Sequence, residues 1–286
     1  MQQVGGSMKR YHILDEIRGI TLCSMILYHA AWDLVYLFGQ DWAWYRSDFA
    51  YFWQQSICWC FILLSGFCFS LGKKKWRRGL VVFLAGAVVS IVTHIAMPGQ
   101  SVRFGVLTML GSSMLLMAFL EKITVFISRT IRENTDIHFG ENLGECRHPF
   151  VGMVFSFLFF LGTRGINERY LGFEQIRLFE LPDPLYQKGD LMTYIGFMSV
   201  DFYSTDYFSL IPWFFLFSTG YFLYYVAKKK EWLEKITTQQ LFSELVSESF
   251  VGKIIRFMGK HSLIIYMLHQ PVIYVLLSIG NLIPFY

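Results

Sequence analysis

Seven stretches of this chain are long and apolar enough to cross a lipid bilayer, and that leaves few choices of fold. At about 20 apolar residues per crossing, they run 13–38, 49–71, 79–97, 104–120, 149–162, 207–227 and 262–284, the fifth being short by this count. Within hydrocarbon each backbone amide needs a partner in its own segment, so stretches of this kind form helices. Composition agrees: 54% of the 286 residues are hydrophobic, 19% are aromatic and only 16% are charged, which excludes an ordinary soluble domain. The expected fold is all-α, a polytopic transmembrane bundle of about seven spans forming one domain over 1–286 in an integral membrane protein.

Orientation follows from the basic residues, because short cytoplasmic loops collect Lys and Arg. Lys9 and Arg10, the run Lys73 to Arg78, the segment Lys122 to Arg147 and the stretch Lys228 to Lys260 share one side after this threading. They hold 18 of the 25 basic residues, against six on the other side and Arg18 within the first span. The expected N-terminus is therefore cytoplasmic. The bias fits a bacterial cytoplasmic membrane, and a eukaryotic organelle would show the same one. A net charge of +4 gathered into juxtamembrane clusters reads as topology and lipid contact, not as a nucleic-acid surface. The run Lys73 to Arg78 also suits the phosphates of a cytoplasmic cofactor, although a solvated anchor explains it more simply.

The connecting segments are distinct in character. Residues 163–206, with Arg164, Glu168, Arg169, Glu174 and Arg177 ahead of Pro182, Asp183 and Pro184, form an expected outer cap. Within it Leu191 to Val200 is apolar but too short to cross, so an interfacial or re-entrant piece is expected. The expected cytoplasmic connectors are 121–148, polar from Ser128 to His148, and 228–260. In the latter, Phe250 to Met258 reads as a short interfacial helix broken at Gly259. Cys23, Cys58, Cys60 and Cys68 lie within spans and Cys146 on the cytoplasmic side, a pattern that fits packing; no metal is expected. No inverted repeat is visible, which argues against common transporter plans.

Arg18, His29 and Asp33 interrupt the first span. Ionisable groups at such depth normally face a protein interior or a wet cavity. Arg18 and His29 are eleven positions apart, about 20° apart around a helix and about 16 Å apart along it. Asp33, one turn beyond His29, is close enough to hold one imidazole nitrogen and leave the other free. Arg18 alone reads equally as an anchor that snorkels to headgroups, and His29 alone as a core histidine; the triple on one face favours a site. Further candidates for a pocket are His94 and Arg103, flanking a short outer loop, and Asp206, either a helix cap or a substrate contact. Tyr266, His269 and Gln270 lie in the last span, where Pro271 frees a carbonyl one turn back. These last residues are expected to pack against the Arg18 and His29 face.

Leu14, Asp15, Arg18, Gly19 and then His29 resemble the signature of membrane acyltransferases that modify polysaccharides and other extracytoplasmic glycans. More specifically, Phe104 to Leu107 with Leu110 and Gly111, then Asp206, Tyr207, Phe208, Pro212 and Trp213, then Gly259 to Ser262 with Tyr266, His269, Gln270 and Pro271, resemble the heparan-alpha-glucosaminide N-acetyltransferase catalytic-domain family. The resemblance spans nearly the whole chain. It implies transfer of an acyl group, acetyl above all, from cytoplasmic acetyl-CoA or another acyl-CoA to a sugar or glycan on the far side, with His29 catalytic and Arg18 its motif partner. Thr108 departs from the family pattern, which often has histidine there. The residues suit this chemistry on their own: histidine supplies a base of near-neutral pKa or a nucleophile, Arg18 a contact for the donor, and Asp33 an orienting carboxylate. Two other readings use the same residues, a proton-linked transporter or flippase with an Arg/His/Asp relay, and a noncatalytic membrane subunit.

Overall fold

A computed structural model describes residues 11–134, 143–234 and 249–282. Its helices in chain order are α1 (His12–Tyr36), α2 (Asp48–Ser70), α3 (Lys75–Ala96), α4 (Val106–Asn134), α5 (Pro149–Gly162), α6 (Asp190–Ile195), α7 (Leu210–Lys229), α8 (Phe250–Lys260) and α9 (Ser262–Leu282). Six of the described helical stretches are long and apolar enough to cross a membrane, so the fold is an all-α polytopic bundle. They correspond to the second through seventh expected spans. The first expected span is α1, whose 25 residues reach about 37 Å. Asp15, Glu16, Arg18 and Asp33 lower its apolar character, and by composition it does not join the six.

The chain divides into two compact units, one of residues up to Phe61 with those from Ala227 onward, the other Ile62–Val226. In the first, α1 packs against α8 and α9. Leu22, Met25 and Ile57 form a buried cluster with Met258, Ile265 and Tyr266 around it. Trp53 Nε1 donates to Ser24 Oγ at 2.8 Å, tying α2 to the same face of α1. The expected interfacial helix is α8, capped by Ser249, whose Oγ accepts from Gly252 N at 3.2 Å. Such a cap satisfies one of the amides a helix start leaves bare.

Gly259 does not break this helix, contrary to the sequence expectation; α8 runs through it to Lys260. Its role is close approach. A Cβ there would collide with the Asp15 backbone, and one on Gly19 with the Ile255 backbone, so α1 and α8 touch main chain to main chain at two points. The expected connector from 121 also begins later than its polarity suggested, because α4 continues as helix to Asn134. The remainder of that connector in part, and most of the one preceding α8, lie outside the described residues.

In the second unit, α3 and α4 form a hairpin closed by small residues. Gly86 lies against Thr108, and Gly111 against the Phe83 backbone. The residue where the family pattern often has histidine is thus a packing position here, with Thr108 buried. Where α2 meets α7, Gly66 faces the Phe217 carbonyl and Gly220 the Leu63 carbonyl. Ile211 is extended (φ −98°, ψ 130°), as a residue before proline prefers, so regular α7 geometry begins at Pro212.

Residues 163–206 depart from an all-helical reading in one place. Tyr170–Phe173 (β1) and Ile176–Glu180 (β2) pair antiparallel, Tyr170 opposite Glu180, with an irregularity between Leu171 and Gly172. The apolar stretch from Leu191 contributes the end of α6, which stops at Ile195 before Gly196 at φ +150°. Tyrosine hydroxyls pin this segment, the buried Tyr186 among them. Tyr186 Oη donates to the Ile166 carbonyl at 2.5 Å and Tyr207 Oη to the Thr193 carbonyl at 2.6 Å, while Tyr194 donates to Ser112.

Burial pushes the Tyr186 phenol up to about 12, against an opposing pull from Arg169. A raised folded pKa means that its contribution to stability is complete below the unfolded value near 10 and is lost as pH climbs through 12. Tyr186→Phe strands the Ile166 carbonyl and is expected to cost about 1 to 3 kcal/mol at neutral pH. Thermal unfolding at pH 7 and pH 11 checks both statements: the gap between wild type and variant should narrow at the higher pH.

Candidate functional site

The polar residues of α1 meet partners on α9. The imidazoles of His29 and His269 lie side by side, ring centroids 4.9 Å apart. One turn further along α1, Asp33 is fully buried and its Oδ1 accepts a hydrogen bond from Gln270 Nε2 at 2.6 Å. Thus two consecutive residues of α9 engage two α1 residues spaced by one turn. The sequence reading placed Asp33 on the His29 imidazole; its hydrogen bond goes instead to Gln270, a side chain 237 positions away.

The protonation of His269 follows from its neighbour. His269 Nδ1 lies 2.5 Å from the Tyr266 carbonyl oxygen, and a carbonyl only accepts, so Nδ1 carries the proton and Nε2 keeps a lone pair. That Nε2 is buried and has no hydrogen-bond partner, as are Asp33 Oδ2 and Gln270 Oε1. Three buried acceptors thus await donors within two facing helices. Buried polar groups are nearly always paired, so such a cluster calls for a ligand or water to complete it. The Tyr266 ring stands 5.3 Å from that of His269, walling one side.

Toward the start of α1 lies a second polar cluster. Arg18 is about a quarter exposed and pairs with Asp15 at 3.6 Å. Glu16, which the sequence reading did not single out, is completely buried and lies 3.6 Å from Arg256 of α8. Set between Asp15 and Arg18, Glu16 carried no signal of its own in the sequence, and its partner is too distant in the chain to be read. The main-chain contacts at Gly19 and Gly259 flank these charges and hold α8 against them.

The remaining candidates lie in the second unit. Arg103 donates to Asp190 Oδ2 at 2.8 Å, and its guanidinium stands 4.9 Å from the Phe202 ring centroid. Asp206 Oδ2 accepts from Val106 N at 3.3 Å. It caps a helix, as one reading expected, but the helix is α4 and not the α7 that follows it in sequence. His94 is exposed on α3, and no hydrogen bond joins it to Arg103. The structure therefore assembles Tyr266, His269 and Gln270 with His29 and Asp33, sets Arg18 beside Asp15, and leaves His94, Arg103 and Asp206 in separate local roles.

Residues 10–130 and 148–271 match the family described as heparan-alpha-glucosaminide N-acetyltransferase, catalytic. No curated protein and no solved structure matches the chain. The family match takes in α1, with Arg18, His29 and Asp33, and reaches Pro271 just past the His269 and Gln270 pair. The chain belongs to the heparan-alpha-glucosaminide N-acetyltransferase catalytic family and is by that membership an integral membrane acetyltransferase.

Proposed function

We propose that the protein moves an acetyl group from acetyl-CoA on the cytoplasmic side to a hydroxyl or amino group of a sugar or glycan on the other side, with the His29 and His269 pair as its reaction centre. The observation that carries this reading is the cluster of unpartnered buried acceptors, Asp33 Oδ2, His269 Nε2 and Gln270 Oε1. A polyol or amino sugar presents the matching O–H and N–H donors, and an apolar solute does not. In the reaction His29 takes the proton of the attacking hydroxyl or amine as its oxygen or nitrogen bonds to the thioester carbonyl carbon. The carbon–sulfur bond then breaks, and the departing CoA thiolate takes up a proton, so charge and atoms balance without a metal. Arg18, about 16 Å below His29 along α1, suits a phosphate of the donor whose pantetheine arm reaches the histidines.

The test is release of free CoA by the purified chain with acetyl-CoA and a panel of amino sugars. CoA should appear in proportion to acceptor supplied. A donor at 100 times its dissociation constant adds about 2.7 kcal/mol of stability, so acetyl-CoA should raise the unfolding temperature of wild type. Arg18→Ala should require at least tenfold more donor for the same rise. No stabilisation by acetyl-CoA or longer acyl-CoAs, with no CoA released, would overturn the proposal and favour movement of a solute without thioester consumption.

A further inference from the structure

The start of α3 and the middle of α4 enclose a cleft of about 460 Å³, within the size range of small-ligand sites. Lys73, Lys75, Lys122 and Arg129 line it, with Glu121 as the lone carboxylate of the lining. Glu121 is already engaged: Lys75 Nζ donates to both of its oxygens at 2.5 and 2.7 Å, and Tyr221 Oη donates to Oε1 at 2.8 Å. It therefore offsets Lys75 and leaves the other three cations uncompensated within the cleft. Among the described residues no ion pair takes up Lys73 or Arg129, and Lys122 stands over the Trp76 ring at 4.9 Å. Three cations around one concavity repel each other and attract a multiply charged anion.

The rim of the cleft decides which anion. Phe126 is 71% exposed, and elsewhere on the two helices Ile123 and Ile127 of α4 and Leu80 and Val81 of α3 are also exposed. Both helices are among those apolar enough to span, and such exposed apolar side chains suit contact with acyl chains. A headgroup phosphate in the cleft would leave its chains on this apolar surface, whereas a water-soluble nucleotide gains nothing from it. We propose that the cleft is a binding site for an anionic phospholipid, with the phosphate held by Lys73, Lys122 and Arg129 and an acyl chain lying over Phe126. The site is independent of the acetyl-transfer reading and would hold if that reading failed.

The experiment is titration of the detergent-solubilised full chain with short-chain phosphatidylglycerol, short-chain phosphatidylcholine and adenosine 3′,5′-bisphosphate, followed by calorimetry or native mass spectrometry. Each cation near an anionic headgroup is worth about fivefold in affinity, so Lys73→Gln/Lys122→Gln/Arg129→Gln should weaken phosphatidylglycerol binding by about 100-fold. Lys74 and Arg77 belong to the same basic run but do not line the cleft. Their double change to Gln should leave the binding within about threefold. Equal weakening by both sets, or equal affinity for phosphatidylcholine, would reduce the effect to general surface charge and overturn the site. Binding of the bisphosphate alone, lost in the triple variant, would overturn the lipid assignment. All substituted side chains lie at the surface or the cleft wall, and an unchanged unfolding temperature in neutral detergent confirms that the variants are folded.

Discussion

Replacing His29 with alanine is expected to lower acetyl transfer by about 10²- to 10⁴-fold, the range a positioned general base contributes. The loss should fall on turnover. The donor concentration giving half-maximal rate should change little, because Arg18 is untouched. The contrast with Arg18→Ala is the diagnostic, since that variant should shift donor dependence more than turnover. The fold should survive the change at His29. The buried cluster beside it is formed by Leu22, Met25 and Ile57 with residues of α8 and α9, and the Asp33 to Gln270 hydrogen bond does not pass through the imidazole. Initial rates of CoA release with membrane insertion and unfolding temperature measured alongside would decide it. A variant retaining more than a tenth of wild-type turnover would remove His29 from the reaction.

The largest stability effect is expected at Glu16. Its carboxylate is inaccessible to water, whereas the Arg256 side chain retains about a fifth of its exposure. Glu16→Ala takes away the α1 carboxylate that faces this guanidinium, and breaking a buried pair from one side typically costs 3 to 5 kcal/mol. Partial exposure of Arg256 places the expectation near the lower end, about 3 kcal/mol. By contrast, Arg46→Ala breaks a pair with Asp41 in which both side chains are more than half exposed, and should cost less than about 1 kcal/mol. Removing both buried charges with Glu16→Leu/Arg256→Leu should recover at least half of the loss, since an apolar pair avoids the desolvation that the ion pair must offset. Thermal unfolding of the four proteins in one detergent is the measurement. If the double variant were no better than Glu16→Ala, α8 would be held to α1 by something other than this pair.

The starts of most spans were legible because the apolar runs are opened by charge or proline. Lys75 and Pro149 open helices, and α7 takes regular form at Pro212, close to the positions the sequence suggests. What escaped the sequence is tertiary. At i and i+4 Asp33 looks like a partner for His29, yet Gln270 on another helix takes its hydrogen bond. Asp206 looks like a cap for the helix after it and caps one a hundred positions earlier. The β1–β2 hairpin gave no signal because β2 is exposed along its whole length, so no apolar alternation marks it. The tail of α4 was missed for a related reason: Ser128, Arg129 and Thr130 end the apolar run but do not end the helix. Candidates read from a single polar residue, such as His94, had no second group to support them. The residues that did converge, His29 with His269 and Asp33 with Gln270, came from two segments that each carried several polar groups within an apolar run.

The hydrogen bond between Asp33 and Gln270 sets an order of events on the ribosome. With 237 positions between them, and synthesis at roughly 5 to 20 residues per second, α1 waits on the order of tens of seconds for its partner. An aspartate costs about 2.5 to 3.5 kcal/mol at the centre of an inserting helix and less toward an end, where Asp33 stands in α1, so the nascent helix carries a carboxylate that gains from a partner. Its earliest relief comes from α2, through Trp53 and Ser24, and the last polar partner arrives only with α9. An interrupted chain therefore carries a first helix with an unmet carboxylate, and His29 without the imidazole that faces it from α9.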